Sequence, residues 1–114
     1  MYIIDRAVAI IKPKQLYVDW ANSIPDIEFE MTLEDFRDDC MAVLISPYFS
    51  VEEARSELEE MFEDIFVAQL YDWDNQEASW PQKRDLETFW QWFDVEFHST
   101  VADPFEDEIA KGDF

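Results

Sequence analysis

The segment from Ser50 to Tyr71 places the strongest constraint on the fold, because it contains the clearest helix signal in the chain. Ser50 and Glu53 have the spacing of a capping box, in which each side chain accepts a hydrogen bond from the other residue's backbone N–H. The apolar residues that follow recur at helical spacing: Val51, Ala54, Leu58, Met61, Phe62, Ile65, Phe66 and Ala68. The pattern predicts one long amphipathic helix that buries this apolar face.

Three segments have the composition of β-strands. Residues 2–11, YIIDRAVAII, are apolar at both even and odd positions and predict a strand buried on both faces for most of its length. Residues 40–46, CMAVLIS, predict a second strand, which Pro47 closes. Residues 95–103, VEFHSTVAD, alternate in polarity and predict a third strand.

Shorter helices are predicted between these strands. Pro13 suits a first helical turn, and the apolar spacing after it predicts a short amphipathic helix that ends near Ser23. Thr32 and Asp35 form a second capping pair at the start of the segment TLEDFRDD.

The predicted elements follow the order strand, helix, short helix, strand, long helix, helix, strand. This order indicates an α+β fold with a small sheet of at least three strands, covered by helices in a single pair of layers. Long connections leave both parallel and antiparallel pairing open. At 114 residues the chain has the size of one domain. We predict a single globular domain over residues 1–104 and a partly mobile acidic tail over residues 105–114.

The charge of the chain is extreme, because 28 Asp and Glu residues against 8 Lys and Arg residues give a formal net charge of -20. This charge repels nucleic-acid phosphates and anionic membrane surfaces, and it attracts cationic partners. The sequence therefore predicts no direct nucleic-acid binding and no membrane association, and its apolar runs are too short to span a bilayer. The charge has two alternative explanations, solubility and adaptation to high salt, of which solubility is the stronger.

The acids of the long helix indicate where a cationic partner would bind. The polar side of this helix carries seven acids at helical spacing: Glu52, Glu53, Glu57, Glu59, Glu60, Glu63 and Asp64. We interpret these acids as a noncatalytic binding surface for a basic protein, engaged by electrostatic attraction.

A sharper hypothesis is that the chain mimics DNA toward a nucleic-acid-binding protein. A folded chain of this mass exposes roughly 6,600 Å², which gives about one net charge per 330 Å² if the charge is spread evenly. B-DNA carries about one phosphate per 110 Å² of its cylindrical surface. Mimicry therefore requires that acids concentrate on one face, for which the long helix and the acids of residues 26–39 are the candidates.

The stretch FWQWFDVEFH, which ends at His98, gathers aromatic residues and the only histidine of the chain. Asp85 is placed to cap a helix that ends at Phe93, and in the strand after it His98 shares a face with Glu96 and Thr100. One interpretation is a neutral, hydrogen-bonded histidine in a packed sheet. The alternative is a small enzyme or metal-binding protein built around His98 as general base or ligand.

Motifs for metals and cofactors do not support that alternative. Cys40 and the scattered carboxylates lack a ligand spacing such as CxxC, and GxSxG and Gly-rich phosphate loops do not occur, so we predict no cofactor and no metal. Residues 72–76, DWDNQ, resemble the start of a calcium loop, but Glu77 stands where that loop needs Gly and Lys83 where it needs Glu. One cysteine and no recognisable signal peptide favour a cytoplasmic location.

Residues 72–84 follow neither the helical nor the strand period and predict a loop. Trp73 and Trp80 are then expected to be exposed, and aromatics of this kind are enriched at binding hot spots, although loop tryptophans also fold back onto cores. The surplus of aromatics suggests interaction with other proteins or formation of a homo-oligomer.

Two stretches, MYIIDRAVAIIKPKQ at the start and SWPQKRDLETFWQWFDVEFHSTVADP over residues 79–104, resemble a group of small acidic bacterial proteins with no assigned activity. The resemblance extends from Met1 to about Pro104. It implies a bacterial cytoplasmic origin and a self-standing domain, and it supplies no catalytic or binding residue.

Overall fold

The computed structural model describes residues 1–25 and 27–114. Within these residues the chain forms five α-helices, five strands and one 3₁₀ turn at Glu77–Ser79. The strands are β1 (Tyr2–Ile3), β2 (Ala7–Pro13), β3 (Met41–Ile45), β4 (Phe93–His98) and β5 (Ala102–Asp103). The helices are α1 (Gln15–Ser23), α2 (Leu33–Arg37), α3 (Val51–Glu60), α4 (Phe62–Trp73) and α5 (Leu86–Trp92).

Three strands form the main sheet in the order β3-β2-β4, and both neighbouring pairs are antiparallel. Ala9 in the central strand lies opposite Val43 of β3 and Phe97 of β4. A separate antiparallel pair joins β1 to β5. The predicted α+β fold with a small sheet and covering helices is confirmed, and the pairing that the sequence left open is antiparallel.

The helices cover one face of the main sheet. In β2, Ala7, Ala9 and Ile11 are fully buried, whereas Val8 and Ile10 between them are only partly buried. The prediction that this strand is buried on both faces is therefore wrong for its outer face. A single layer of helices shields one side of a sheet, and successive side chains of a strand point to opposite sides.

The ends of two predicted strands are also corrected. The strand predicted over residues 2–11 is divided into β1 and β2, and β2 continues through Pro13, which is not in a helical turn. The strand predicted over residues 95–103 is divided into β4 and β5. Because Ile4 N–H donates to Val101 O at 3.0 Å, the β1-β5 pairing extends beyond both short strands. Pairing with different partner strands sets these ends.

The predicted long helix is divided at Met61, where the backbone (φ -115°, ψ 12°) leaves the helical range. The Met61 N–H donates to Leu58 O at 3.0 Å, and Met61 O accepts from Ile65 N–H at 3.3 Å. Neither Pro nor Gly stands at the break, so local helix propensity does not cause it. Leu58 in α3 and Phe66 in α4 are both fully buried, so the two helices on either side of the break both contribute to the core.

Side-chain caps begin the short helices as predicted. Thr32 and Asp35 form a reciprocal capping box at α2. Asp85 caps α5, since its Oδ1 accepts from Thr88 N–H at 2.8 Å. The end of α5 differs by one residue from the prediction, because Phe93 is already the first residue of β4.

Aromatic side chains occupy the centre of the core between the sheet and the helices. Phe66, Phe89 and Phe93 have no exposed surface. The ring centres of Phe66 and Phe93 are 5.5 Å apart, and those of Phe89 and Phe93 are 5.2 Å apart. Packing of the sheet against α4 and α5 therefore accounts for much of the aromatic concentration that precedes His98.

The C-terminal segment, residues 105–114, contains no helix or strand. The boundary between a domain and a mobile tail at residue 104 stays a prediction. In the part of the chain that the structure describes, no helix combines the length and apolar character needed to cross a membrane.

Candidate functional site

The seven predicted binding acids, hereafter the acidic face, lie on α3 and α4 away from the core. Five of them are exposed and two are partly buried: Glu52, Glu53, Glu60, Glu63 and Asp64, then Glu57 and Glu59. Ala54, Leu58 and Ile65 of the same helices are buried. The helical period thus separates acids from core residues, even though the helix is interrupted.

Three carboxylates of the acidic face hold neighbouring segments in place. Glu57 accepts from both the backbone N–H and the hydroxyl of Ser46, the latter at 2.8 Å. Glu59 accepts from the indole N–H of Trp90 at 2.7 Å. Glu53 accepts from Phe49 N–H at 3.2 Å. The bonds from Ser46 and Phe49 fix the connection that precedes α3, and the bond from Trp90 holds α5 against α3. This part of the acidic face is therefore structural.

The capping box predicted at α3 is consequently only half formed. The Ser50 hydroxyl accepts from Glu53 N–H at 3.3 Å, as expected. The Glu53 carboxylate bonds Phe49 N–H instead of Ser50 N–H. The reciprocal bond has therefore moved one residue toward the N-terminus.

The other four carboxylates are those of Glu52, Glu60, Glu63 and Asp64. All four are exposed. Among the described residues, none of them accepts a hydrogen bond, and no Lys or Arg nitrogen lies within 4.0 Å of any acid of the face. We call these four the unpaired acids; their oxygens remain available to an external cation.

Most of the basic side chains are engaged elsewhere in the fold. Of the 8 Lys and Arg residues, Lys111 lies in the C-terminal segment and the others make contacts within the chain: Arg6, Lys12, Lys14, Arg37, Arg55, Lys83 and Arg84. Arg55 is the cation on α3, and its guanidinium lies over the ring of Trp90. Within the described residues, the seven acids of the face thus have one cation on their own helices, Arg55, and most of their negative charge is not neutralised.

Trp73 and Trp80 are not the exposed loop residues that the sequence predicted. Trp73 is the last residue of α4, and its indole N–H donates to Ala21 O at 3.0 Å. The indole N–H of Trp80 donates to Asp74 O at 2.7 Å. Both rings are partly buried and pack against the core. Their expected exposure is wrong, because the fold supplies each indole with a backbone acceptor and apolar contacts.

His98 lies at the end of β4, an outer strand of the sheet. Its side chain is 56% exposed, and its Nε2 lies 2.9 Å from Oε2 of Glu96. The Nζ of Lys12 lies 4.0 Å from the other Glu96 oxygen. The hydrogen bond with His98, followed by the charge of Lys12, lowers the pKa of Glu96. The catalytic alternative requires His98 in a cleft, and its exposed position does not meet that requirement.

Metal ligands are not brought together in the described residues, since no group of three or more His, Cys, Asp and Glu side chains is arranged to hold an ion. In the segment that resembles a calcium loop, Asp74 accepts from Gln76 N–H and from the Ser79 hydroxyl. Its carboxylate therefore stabilises a turn. Asp26, among the acids considered for DNA mimicry, lies outside the described residues.

A cavity that no sequence pattern predicts lies beside the C-terminal end of α4. Its volume is about 260 Å³. Three aromatic residues and two acids contribute to its lining: Tyr17, Phe36, Trp73, Asp39 and Asp72. Because these residues come from three different helices and the connection between α2 and β3, no periodic pattern in the sequence joins them.

Comparisons of the chain with known protein families, with curated proteins and with solved structures found no match. No relative therefore supplies a substrate, a partner or a functional residue for this chain.

Proposed function

We propose that this protein is a noncatalytic binding domain whose acidic face engages a basic surface of another protein. The observation that supports this proposal is the set of four unpaired acids, which are exposed and have no Lys or Arg nitrogen within 4.0 Å among the described residues. The net charge of -20 acts in the same direction, since it attracts a basic partner over a long range.

Binding through such a face depends on several contacts at once. A single exposed ion pair contributes about 0.2–1 kcal/mol, so the four acids must act together to give a measurable affinity. Complementary charge also raises the association rate, and both effects weaken as salt screens the charges. The expected partner is therefore basic, and its binding is fast and sensitive to salt. The lone Cys40 is suited to a reducing compartment, so we expect this partner in the cytoplasm.

The experiment compares two variants that remove equal charge. One variant replaces the unpaired acids: Glu52→Gln, Glu60→Gln, Glu63→Gln and Asp64→Asn. The matched control replaces exposed acids outside α3, α4 and residues 26–39: Glu87→Gln, Glu106→Gln, Glu108→Gln and Asp107→Asn. Each protein is titrated with a polylysine peptide by calorimetry at low and moderate salt.

We expect the acidic-face variant to bind about tenfold more weakly than the native chain, because four ion pairs are lost together. The control variant should lose much less affinity, since its acids are not part of the face. Equal losses in the two variants would show that only net charge matters and would contradict a localised binding face. Far-ultraviolet circular dichroism checks that both variants remain folded.

A narrower form of this proposal is that the partner's basic surface is a nucleic-acid-binding groove, so that the chain mimics DNA. The accessible surface is 8041 Å², which for a net charge of -20 is about 400 Å² per charge. This average is sparser than the one expected from the mass, because the shape is elongated at 44 × 30 × 26 Å. Mimicry therefore requires that the density of negative charge at the acidic face is higher than this average. Duplex DNA should displace the partner from the chain more effectively than polyglutamate does at equal charge, and equal displacement would contradict mimicry.

A further inference from the structure

The cavity beside the C-terminal end of α4 has a chemistry distinct from that of the acidic face. We propose that it binds a primary alkylammonium group, carried either by a free amine or by a lysine side chain of another protein. We call it the aromatic cavity. Four features of its lining support this ligand: aromatic walls, acidic side chains, a helix C-terminus and an amide oxygen without a hydrogen-bond donor.

The aromatic walls are formed by Tyr17, Phe36 and Trp73. The ring centres of Phe36 and Trp73 are 5.0 Å apart at an interplanar angle of 67°, and those of Tyr17 and Phe36 are 5.3 Å apart at 88°. Neighbouring rings of the lining are thus steeply inclined to one another. Aromatic faces attract cations, and such walls also cover an alkyl chain.

The charge of the cavity lining favours a cation. Asp39 and Asp72 both contribute to it. The helix α4 ends at Trp73, and the carbonyls at the C-terminal end of a helix carry a partial negative charge. The ammonium group would thus meet two carboxylates and a helix terminus.

Two basic residues near Cys40, at one side of the cavity, are already paired. Arg37 donates to Pro13 O at 2.9 Å and lies 3.6 Å from an Asp94 carboxylate oxygen. Lys12 pairs with Glu96. Their positive charges are therefore compensated by acids outside the cavity lining, and they oppose an entering cation only weakly.

Gln69 provides the most specific polar group. Its side chain lines the cavity and is only 6% exposed. The amide Nε2 makes a weak 3.8 Å contact with Sδ of Met41. Within the described residues, no donor is hydrogen-bonded to its Oε1, and because no fully buried side-chain oxygen or nitrogen there lacks a partner, this oxygen keeps contact with solvent. A solvent-accessible amide oxygen in the lining can accept a hydrogen bond, and the N–H of a primary ammonium would supply one that a quaternary ammonium lacks.

The test uses n-butylammonium as the probe. Of the two comparison compounds, n-butanol has a similar shape without the charge, and tetramethylammonium has the charge without an N–H. Calorimetry at low salt measures affinity, and amide chemical-shift mapping locates the site. We expect butylammonium to bind about tenfold more tightly than either comparison compound, with shifts at Gln69, Asp72 and Trp73. Equal binding of the three compounds, or shifts confined to other segments, would overturn the proposal.

A second arm distinguishes the two sources of the ammonium group. Nα-acetyl-lysine methylamide should bind as well as butylammonium if the cavity receives a protein side chain. It should bind much more weakly if the cavity takes a free amine only. Failure of butylammonium itself overturns both versions.

Variants connect binding to the lining residues. Asp72→Asn and Asp39→Asn should each weaken butylammonium binding about threefold to tenfold, because each removes one charge from the lining. The matched control Glu87→Gln, on α5, should leave it unchanged. If Asp72→Asn does not fold, Asp39→Asn alone decides the result. The variant that lacks the four unpaired acids should retain butylammonium binding, which separates this site from the proposed protein-binding face. Unchanged binding in Asp39→Asn would overturn the proposal.

Discussion

The guanidinium carbon of Arg55 lies 3.9 Å from the centre of the Trp90 ring. The indole N–H of the same Trp90 donates to the carboxylate of Glu59 at 2.7 Å. One side chain of α5 thus holds a cation and an acid of α3 at the same time. Because Arg55 is directed onto the ring, no acid of the acidic face has it as an ion-pair partner in the described structure.

Removing this cation should strengthen binding of a basic partner. Arg55→Gln takes a positive charge from the helix that carries the unpaired acids, so we expect polylysine affinity to rise about twofold to threefold. The variant also loses the contact with Trp90 and should be less stable by about 0.5–1 kcal/mol in urea unfolding. Lys111→Gln is the control, since it removes a cation from the C-terminal segment. An equal rise in both variants would contradict a special position of Arg55.

The hydroxyl of Tyr17 should contribute measurably to stability. It donates to Gln69 O at 2.6 Å in a buried position, and burial, with the charge of Asp72 second, raises the pKa of Tyr17 above its usual range. Tyr17→Phe removes this bond and should cost about 1 kcal/mol in urea unfolding. Tyr48→Phe is the control, because the Tyr48 hydroxyl has no hydrogen bond in the described residues. A loss of equal size in the control would contradict this assignment.

The carboxyl group of Glu96, which is paired with His98, should have a pKa below its usual range. The His98 hydrogen bond and then the Lys12 charge lower the pKa of Glu96. Because the folded pKa lies below the unfolded one, the pair stabilises the fold above the unfolded pKa of Glu96 and loses this effect as pH falls through the folded pKa. His98→Ala should raise the pKa of Glu96, as measured from its carboxyl carbon shift. Lys12→Gln should raise it less, and the opposite order would show that charge is the larger cause.

Salt should stabilise the fold. At a net charge of -20, the carboxylates repel one another in the compact folded state, and added ions screen this repulsion. The thermal midpoint should therefore rise with sodium chloride and also on mild acidification, which protonates carboxylates. The variant without the four unpaired acids should gain less from salt than the native chain. Midpoints independent of salt would count against self-repulsion as a large term.

Local patterns predicted several elements correctly because the forces behind them act over a few residues. The caps at Thr32 and Asp85 are single side chains that bond a backbone N–H three residues later. The strand at Met41–Ile45 is a short apolar run closed by Pro47. The alternation of acids and apolar residues along α3 and α4 likewise placed the acidic face on the solvent side.

The same local patterns could not show which acids of that face have internal partners. Glu57 is bonded to Ser46, and Glu59 to Trp90, which is 31 positions away in the sequence. These bonds exist because the sheet and α5 bring separate segments against α3. Only Glu52, Glu60, Glu63 and Asp64 therefore remain as the unpaired acids.

Tertiary packing also determined the division of the N-terminal strand, the partial burial of Trp73 and Trp80, and the aromatic cavity. Each depends on contacts between residues far apart in the chain, such as that of Trp73 with Ala21. The sequence of a short segment cannot predict these long-range contacts. A helical period or a cap can be predicted, because all of its residues lie within one or two turns. The sequence thus determines the elements and the charge of this protein, and the packing of distant segments determines which side chains stay available to a partner.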